Sequence, residues 1–154
     1  MAHTRDHMIE TLRDAGYRLT RQRVTIINCL AGRDDHPSAR EIYRGLPRSS
    51  PRTSLATVYN TLRTLVELGL IREMDFEAVD NRYDTNVGPH INLVCTMCGE
   101  ITDFDHELPV SPEEIRGRLG FEAVDCRMEY RGVCAHCRAT GDDTRVVGRT
   151  GGVT

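Results

Sequence analysis

The sequence predicts an α+β protein, with helices in its first half and a smaller, strand-rich unit in its second half. Two observations lead to this prediction. Apolar residues recur at helical spacing as far as residue 68 and then alternate, as they do in strands. The second half also carries two Cys-x-x-Cys pairs, Cys95-Thr-Met-Cys98 and Cys134-Ala-His-Cys137, at a spacing typical of zinc ligands.

The chain length allows one ordinary domain or two small ones. With 154 residues, two small domains would each be short of apolar core, so a metal, a disulfide or a partner subunit is expected to supplement them. The first twenty residues are too charged for a secretory signal, and no apolar run approaches the roughly 18 residues of a membrane span. These features predict a cytoplasmic protein with no membrane association, in which closely spaced cysteines bind metal in preference to forming disulfides.

The net charge of -3 is unevenly distributed. Residues 1–75 hold 12 Arg and 9 acidic residues, whereas residues 76–154 hold 8 Arg and 14 acidic residues. Every basic residue is Arg, whose planar guanidinium can pair with a phosphate or with the edge of guanine. The first half therefore suits a polyanion, although so small an excess is equally compatible with an ordinary solvated surface.

Four helices are predicted in the first half. The first contains Met8 and Leu12 on its apolar side, and the second places Val24, Ile27 and Leu30 inward. The third begins with a capping box, and the fourth has an inward stripe from Leu55 to Leu68. The predicted caps are Thr20, Ser38 with Glu41, and Ser54, and the predicted stops are Gly16, Gly32, Gly45 and Gly69.

A hairpin is predicted after the fourth helix. Residues 70–76 and 82–85 alternate as strands do, and the segment 77–81 between them is rich in turn formers. Helices followed by a hairpin, with an amphipathic last helix, are the order of a winged helix-turn-helix domain. We assign this domain to residues 1–86.

The outer face of the fourth helix is predicted to contact DNA. It lacks acidic residues from Ser54 to Val66, which is unusual for a helix face that only meets solvent. Its side chains can reach base edges and phosphates in a major groove. The residues assigned to this face are Thr57, Asn60, Thr61, Arg63 and Thr64, with Tyr59 at its flank.

The second half is predicted to form a small domain over residues 90–138, after a hinge at 87–89. We expect strands at His90–Cys95 and Glu100–Phe104, a helix at Ser111–Leu119 and a strand at Phe121–Tyr130. The glycine-rich tail, residues 139–154, is predicted to be disordered.

The two cysteine pairs predict a structural zinc site. Cys95, Cys98, Cys134 and Cys137 supply four thiolates, which fill a tetrahedral zinc and leave no position for catalysis. A redox Cys-x-x-Cys motif is the alternative interpretation of either pair alone. Cys29, in the second helix, and Cys126, in the last predicted strand, are expected to be small buried apolar residues.

A second set of possible ligands contains nitrogen and oxygen donors without sulfur. This donor type suits iron(II), manganese(II) or zinc in five or six coordination. Taken one at a time, and from the pattern alone, these residues are better explained as ordinary polar surface residues. The set consists of His36, Asp84, His90, Asn92 and Asp103.

From about Leu12 to Arg138 the sequence resembles the ferric uptake regulator family. The motifs that carry the resemblance are Gly16-Tyr-Arg-Leu-Thr-Arg-Gln-Arg23, His36-Pro-Ser-Ala-Arg-Glu-Ile-Tyr43, Ser54-Leu-Ala-Thr-Val-Tyr-Asn-Thr-Leu62, Gly69-Leu-Ile71, Arg82-Tyr-Asp84 and the two cysteine pairs. The resemblance implies that the second domain dimerises, and that a homodimer represses transcription by binding a palindromic operator in double-stranded DNA. It also implies that a metal at the hinge closes the two domains of each subunit into the DNA-binding shape.

Within this family the sequence is most similar to the peroxide-responsive branch. That resemblance implies regulatory iron(II) or manganese(II) held by the nitrogen and oxygen set, with His36 or His90 oxidised when peroxide reacts at bound iron. Asn92 departs from the family pattern, which has histidine there. Pro89, Ile91 and Cys126 stand where the second metal site of the iron-type members would have ligands. A metal-uptake regulator without peroxide sensing is the alternative within the family.

For DNA binding we expect Arg63 and Tyr59 to give specificity and positioning on the fourth helix, beside Thr57 and Asn60. Arg18, Arg21 and Arg23 are expected to contact phosphates.

Two alternatives come from other classes of protein. A zinc hydrolase or deaminase would need an open zinc and a His-x-Glu motif, and none precedes a cysteine pair. A zinc-ribbon interaction module would leave the acid-free helix unexplained.

Overall fold

The computed structural model describes residues 3–49, 51–75, 80–124 and 126–141. The chain divides into two compact units, Met1–Gly88 and Pro89–Thr154. The first unit contains α1 (Arg5–Asp14), α2 (Arg21–Leu30), α3 (Ala39–Gly45), α4 (Leu55–Glu67), β1 (Arg72–Met74) and β2 (Arg82–Asp84). The second contains β3 (Ile91–Cys95), β4 (Ile101–Phe104), α5 (Pro112–Leu119), β5 (Met128–Gly132) and α6 (Ala135–Thr140).

Polar caps fix where the helices of the first unit begin. A hydroxyl oxygen just before each helix accepts a hydrogen bond from a backbone N–H three residues later, which satisfies one of the free donors of the first turn. The predicted capping box of α3 is confirmed, because the Glu41 carboxylate in turn accepts from the Ser38 backbone N–H. The four capping residues are Thr4, Thr20, Ser38 and Ser54.

One apolar cluster holds the first unit together. Val58, Leu62 and Leu65 on α4 are fully buried in it, as the stripe predicts. On α2 the inward face differs slightly from the prediction, since Ile26 is fully buried and Val24 is only half-buried. The other buried members are Met8, Leu12, Ile27, Leu30, Ala39, Ile42, Leu70, Ile71 and Tyr83.

The hairpin pairs β1 with β2 in antiparallel register, with Arg72 opposite Asp84. Both strands are shorter than predicted. Residues 76–79, which include most of the predicted turn, lie outside the described residues. Helices followed by this hairpin give the winged helix-turn-helix architecture that the sequence predicts.

The second unit is built on a three-stranded sheet with the order β4-β3-β5. The central strand β3 pairs antiparallel with β4 and parallel with β5. Parallel strands need a crossover connection, and the segment that contains α5 provides it. The Ser111 cap predicted for α5 is confirmed.

Three predictions for the second unit are wrong. The last strand begins at Met128, opposite Ile91, because the β3 partner itself begins at Ile91 and offers no pairing to earlier residues. Cys126 is therefore outside the strand, and it is exposed. The predicted disordered tail begins too early, because Ala139 and Thr140 belong to α6, which Cys134 caps. Residues 142–154 of that tail lie outside the described residues.

Within the described part of the chain, no helix has both the length and the apolar character that crossing a membrane requires.

Candidate metal centres and nucleic-acid interface

Strand pairing in the second unit brings the two cysteine pairs together. Cys95 ends β3 opposite Gly132 of β5, and the Thr96 backbone N–H donates to the Gly132 carbonyl at 2.8 Å. Two residues beyond Gly132 the chain reaches Cys134, whose backbone N–H donates to the Cys95 sulfur at 3.3 Å. The sheet register therefore joins two motifs that lie about forty residues apart in the sequence.

The geometry of the four sulfurs fits a tetrahedral zinc. The sulfur atoms of Cys95, Cys98, Cys134 and Cys137 all lie within 4.8 Å of one another. The Sγ atoms of Cys98 and Cys134 are 3.9 Å apart. Zinc–thiolate bonds of about 2.3 Å in a tetrahedron require sulfurs about 3.8 Å apart. A redox pair would need two sulfurs, so the cluster of four favours the structural zinc site.

The protonation of these thiols also depends on their clustering. Burial and the neighbouring thiols raise the pKa of Cys137 to about 12, and burial raises the pKa of Cys98. At Cys95 burial also raises the pKa, but N–H donors from Cys98, Cys134 and Met97 outweigh burial and lower the pKa to about 6. Four thiolates cannot share so small a volume without a cation, and zinc supplies that positive charge.

The nitrogen and oxygen donors form one pair in each unit. In the first unit, His36 and Asp84 are both buried, with His36 Nε2 3.7 Å from Asp84 Oδ1. His36 has a φ of 47°, in the left-handed region that few residues other than glycine adopt. A second contact orients the Asp84 carboxylate, because its Oδ1 accepts a hydrogen bond of 2.6 Å from the Asn86 backbone N–H.

Backbone contacts between the loop before α3 and strand β2 hold the first pair together. The Tyr83 backbone N–H donates to the Pro37 carbonyl at 3.0 Å, and Ser38 forms a bridge with Arg82. These contacts run the loop alongside β2, so that His36 lies opposite Asp84. The sequence analysis placed His36 and Asp84 in one candidate set but did not predict the backbone contacts that align them, since no local pattern connects residues so far apart.

The second pair lies beside the first strand of the second unit. His90 Nε2 is 3.7 Å from Asp103 Oδ1, and the His90 side chain is buried. Asn92 lies directly opposite Asp103 in the antiparallel register. The buried Asn92 Oδ1 accepts no hydrogen bond from any of the described residues. A buried amide oxygen in this state is available as a metal ligand.

The residues of α4 that are predicted to contact DNA differ in their exposure. Tyr59, Asn60 and Arg63 are exposed, and Arg63 forms an ion pair with Glu67 at 3.0 Å. Thr57 is half-buried, and its hydroxyl contacts the capping Ser54 hydroxyl at 2.9 Å. The face is therefore narrower than predicted.

Thr61 and Thr64 are wrong assignments to the outer face, because both are buried. Their hydroxyls donate to the backbone carbonyls of Thr57 and Asn60, one helical turn earlier, at 2.8 and 3.0 Å. This internal bond satisfies a threonine hydroxyl without solvent, so the side chain can pack inward.

The three arginines predicted to contact phosphates differ in their surroundings. Arg18 and Arg21 are exposed. Arg23 is half-buried, with its guanidinium 5.4 Å from the centre of the Tyr17 ring and donating to the Arg18 carbonyl at 3.0 Å. Arg23 therefore orders the segment that carries Arg18.

A winged helix-turn-helix unit followed by a unit with a four-cysteine metal centre defines a DNA-binding regulator that carries a structural metal. The model of the ferric uptake regulator family matches residues 14–131, and this chain belongs to that family. It is a regulator and not an enzyme, which removes the hydrolase and deaminase alternatives. The match also spans α2, α3 and α4 of the first unit, which a zinc-ribbon interaction module does not explain.

Individual relatives agree with this assignment. The peroxide-responsive repressor PerR of Staphylococcus epidermidis is 35% identical over 141 residues, covering 91% of this chain and 94% of the relative. The structure of the Vibrio cholerae ferric uptake regulator is 26% identical with a TM-score of 0.66, covering 81% of this chain and 98% of that one. The structure of a zinc-bound manganese uptake regulator is 31% identical with a TM-score of 0.59, covering 82% of this chain and 98% of that one.

Proposed function

We propose that this chain is a homodimeric repressor that binds a palindromic operator when a regulatory iron(II) or manganese(II) is bound, and that peroxide releases it. The observation that carries the proposal is the two His–Asp contacts, one in each unit, each with a buried imidazole and 3.7 Å between imidazole nitrogen and carboxylate oxygen. The ligands in this proposal are His36, Asp84, His90, Asn92 and Asp103.

The distances within each pair suit a shared cation. Ligand atoms that each lie about 2.1 Å from one ion are about 3 to 4 Å apart when they occupy adjacent positions. The chain from Asp84 to His90 advances six residues and reaches at most about 20 Å. A connection of this length permits the two pairs to serve one ion, which would then link the DNA-binding unit to the second unit.

The donor set suits the proposed metals. Two imidazole nitrogens and three oxygens, without sulfur, favour iron(II) and manganese(II). A ligand can shift an equilibrium between two shapes only by the difference in its affinity for them. A metal that binds one arrangement of the two units better than the others will therefore stabilise that arrangement for DNA binding.

Peroxide sensing is the second part of the proposal. Bound iron(II) supplies the redox chemistry that activates hydrogen peroxide. One peroxide oxygen is inserted into a ring C–H bond of His36 or His90, and the other leaves as water, so the side chain gains 16 mass units. The oxidised ring is a weaker ligand, and the protein releases the operator.

A metal-uptake regulator without peroxide sensing is the alternative. It is favoured by the amide oxygen of Asn92, which is a hard donor suited to manganese, and by the likeness to a manganese uptake regulator. In this alternative, DNA binding depends on metal but His36 and His90 are not oxidised.

Exposed apolar residues in the second unit support the homodimer. Leu119, Phe121 and Val124 are 78%, 62% and 93% exposed, which is costly for large apolar side chains of an isolated unit. A second copy that covers them would place two DNA-binding units in twofold symmetry, as a palindromic operator requires. A cytoplasmic location is part of the proposal, because the thiols of the zinc site need a reducing compartment.

The test uses the zinc-containing protein loaded with either iron(II) or manganese(II), treated with hydrogen peroxide, and examined by mass spectrometry of peptides and by gel shift. We expect a +16 addition at His36 or His90 and loss of DNA binding with iron, and neither with manganese. His106 is exposed and serves as the internal control, since non-specific oxidation would modify it at least as strongly.

Two outcomes would contradict parts of the proposal. If iron-loaded protein keeps both histidines intact and still binds DNA after peroxide treatment, peroxide sensing is wrong and the metal-uptake alternative is supported. If the protein binds its operator equally well without the exchangeable metal, both the peroxide-sensing repressor and the metal-uptake regulator are contradicted.

A further inference from the structure

Thr85 makes a buried contact that none of the assigned roles explains. It follows Asp84 directly and is only 3% exposed. Its hydroxyl donates to the backbone carbonyl of Arg33 at 2.6 Å, across 52 residues of sequence. Arg33 lies three residues before His36, in the loop that connects α2 to α3.

This contact completes the attachment of the His36 loop to strand β2. On one side of His36, the loop is joined to the strand through the Pro37 carbonyl and the Tyr83 backbone N–H. On the other side, Thr85, the residue directly after the strand, is bonded to Arg33. The His36–Asp84 pair therefore lies between two points of attachment.

The loop needs both attachments because its backbone is strained at His36. A residue other than glycine at a φ of 47° is held in a sparsely populated conformation, which persists only where the surroundings fix it. Without the Thr85 hydroxyl, the Arg33 carbonyl loses this hydrogen bond, and this end of the loop is free to relax. The imidazole of His36 would then no longer be held 3.7 Å from the Asp84 carboxylate.

We propose that Thr85 is a positioning residue for the regulatory metal: its hydroxyl fixes the His36 loop against β2, so that His36 and Asp84 are preorganised to bind one cation. This inference rests on the proposed role of His36 and Asp84 as ligands. Preorganised ligands bind more tightly, because less conformational freedom is lost when the metal binds.

The test is a titration of manganese(II) into the full-length, zinc-containing protein, followed by electron paramagnetic resonance. Thr85→Val keeps the shape of the side chain but removes the donor, and Thr85→Ser keeps the donor. We expect Thr85→Val to weaken manganese binding about tenfold, as the loss of supporting contacts around metal ligands commonly does. Thr85→Ser should remain within about twofold of the wild type on the same reasoning.

A variant with a comparable loss of stability separates positioning from general destabilisation. Ile26→Val removes one methyl group from the fully buried core of the same unit, on α2 and not in the loop. All proteins are titrated well below their melting temperatures. We expect Ile26→Val to lower the melting temperature and leave the manganese affinity unchanged.

The outcomes distinguish this inference from the proposed function. If the wild type binds manganese and Thr85→Val binds it equally well, Thr85 has no positioning role. If Ile26→Val and Thr85→Val weaken binding to the same extent, the effect of Thr85 is only on stability, which also overturns the inference. If His36→Ala binds as tightly as the wild type, the proposed ligand set itself is wrong.

Discussion

Asn92 on β3 lies directly opposite Asp103 on β4. Directly opposed residues of antiparallel strands project to the same face of the sheet, so an amide oxygen and a carboxylate lie side by side there. His90, two residues before Asn92, is within 3.7 Å of the same carboxylate. This arrangement is the basis of the first prediction.

Asn92→Ala is expected to weaken manganese(II) binding by roughly tenfold or more, because it removes one oxygen donor. Asn92→His is expected to tighten zinc(II) binding more than manganese(II) binding, since imidazole favours zinc. Competition titrations with both ions measure this. Thr102→Ala, at the neighbouring position of β4, is the control and should change neither affinity. Unchanged affinities in both Asn92 variants would remove Asn92 from the ligand set.

Arg63→Ala is expected to cost about 1 to 3 kcal/mol of binding free energy on the cognate operator, and less on random DNA, because a guanidinium that reads a base edge acts only on the correct sequence. The matched control is Arg118→Ala. Both side chains are nearly fully exposed, at 79% and 77%, and both form an ion pair with an acid one helical turn away. Gel shifts on both DNAs give the comparison. Equal losses on the two DNAs would show that Arg63 contacts phosphate only.

Cys98→Ser is expected to abolish the structural zinc and unfold the second unit, because folding of such a unit is coupled to metal binding. Zinc content and thermal unfolding by circular dichroism report both effects. Cys126→Ser is the control, because Cys126 is also an exposed cysteine without a disulfide but lies outside the four-sulfur cluster. Retention of one zinc per chain in Cys98→Ser would contradict the four-cysteine site.

Glu41→Gln is expected to reduce stability at neutral pH by up to about 1 kcal/mol, the usual range for an exposed ion pair. Burial raises the pKa of Glu41, but hydrogen bonds from Ser38 and the Arg82 guanidinium outweigh burial and keep it below the ordinary value of 4.5. A lowered pKa in the folded state gives stability above pH 4.5 that is lost as the pH falls through the folded value.

The difference between wild type and Glu41→Gln should therefore be present at pH 7 and decline progressively as the pH falls below 4.5. Urea unfolding at several pH values measures it, with the exposed Glu10→Gln as the control. A difference that stays constant down to pH 3 would show that the charge of Glu41 is not its cause.

Much of the first unit could be predicted from the sequence. The hydroxyl caps and the Ser38–Glu41 box depend on hydrogen bonds between residues three apart, so the local sequence is sufficient to define them. The apolar stripe of α4 has the same origin, since helical periodicity alone places Val58, Leu62 and Leu65 on one side. The Cys-x-x-Cys spacing likewise determines each half of the zinc site.

The sequence predictions are wrong where the burial or secondary structure of a residue depends on contacts that the local pattern does not contain. Thr61 and Thr64 are polar, and the sequence gives no sign that their hydroxyls bond back to the helix and allow burial. Cys126 was expected in a strand, but strand formation there requires a partner, and β3 begins too late to provide one. These outcomes follow from packing and register, which local patterns do not contain.

By itself, the sequence determined the helix caps, the two Cys-x-x-Cys pairs and the apolar stripe of α4, because each arises from contacts within about one helical turn or one short motif. Only the tertiary structure decided that His36 meets Asp84, that Asn92 lies opposite Asp103, and that the Thr85 hydroxyl bonds to the Arg33 carbonyl. Those contacts join residues that are 48, 11 and 52 positions apart. They form only when packing of the helices and pairing of the strands bring distant segments together.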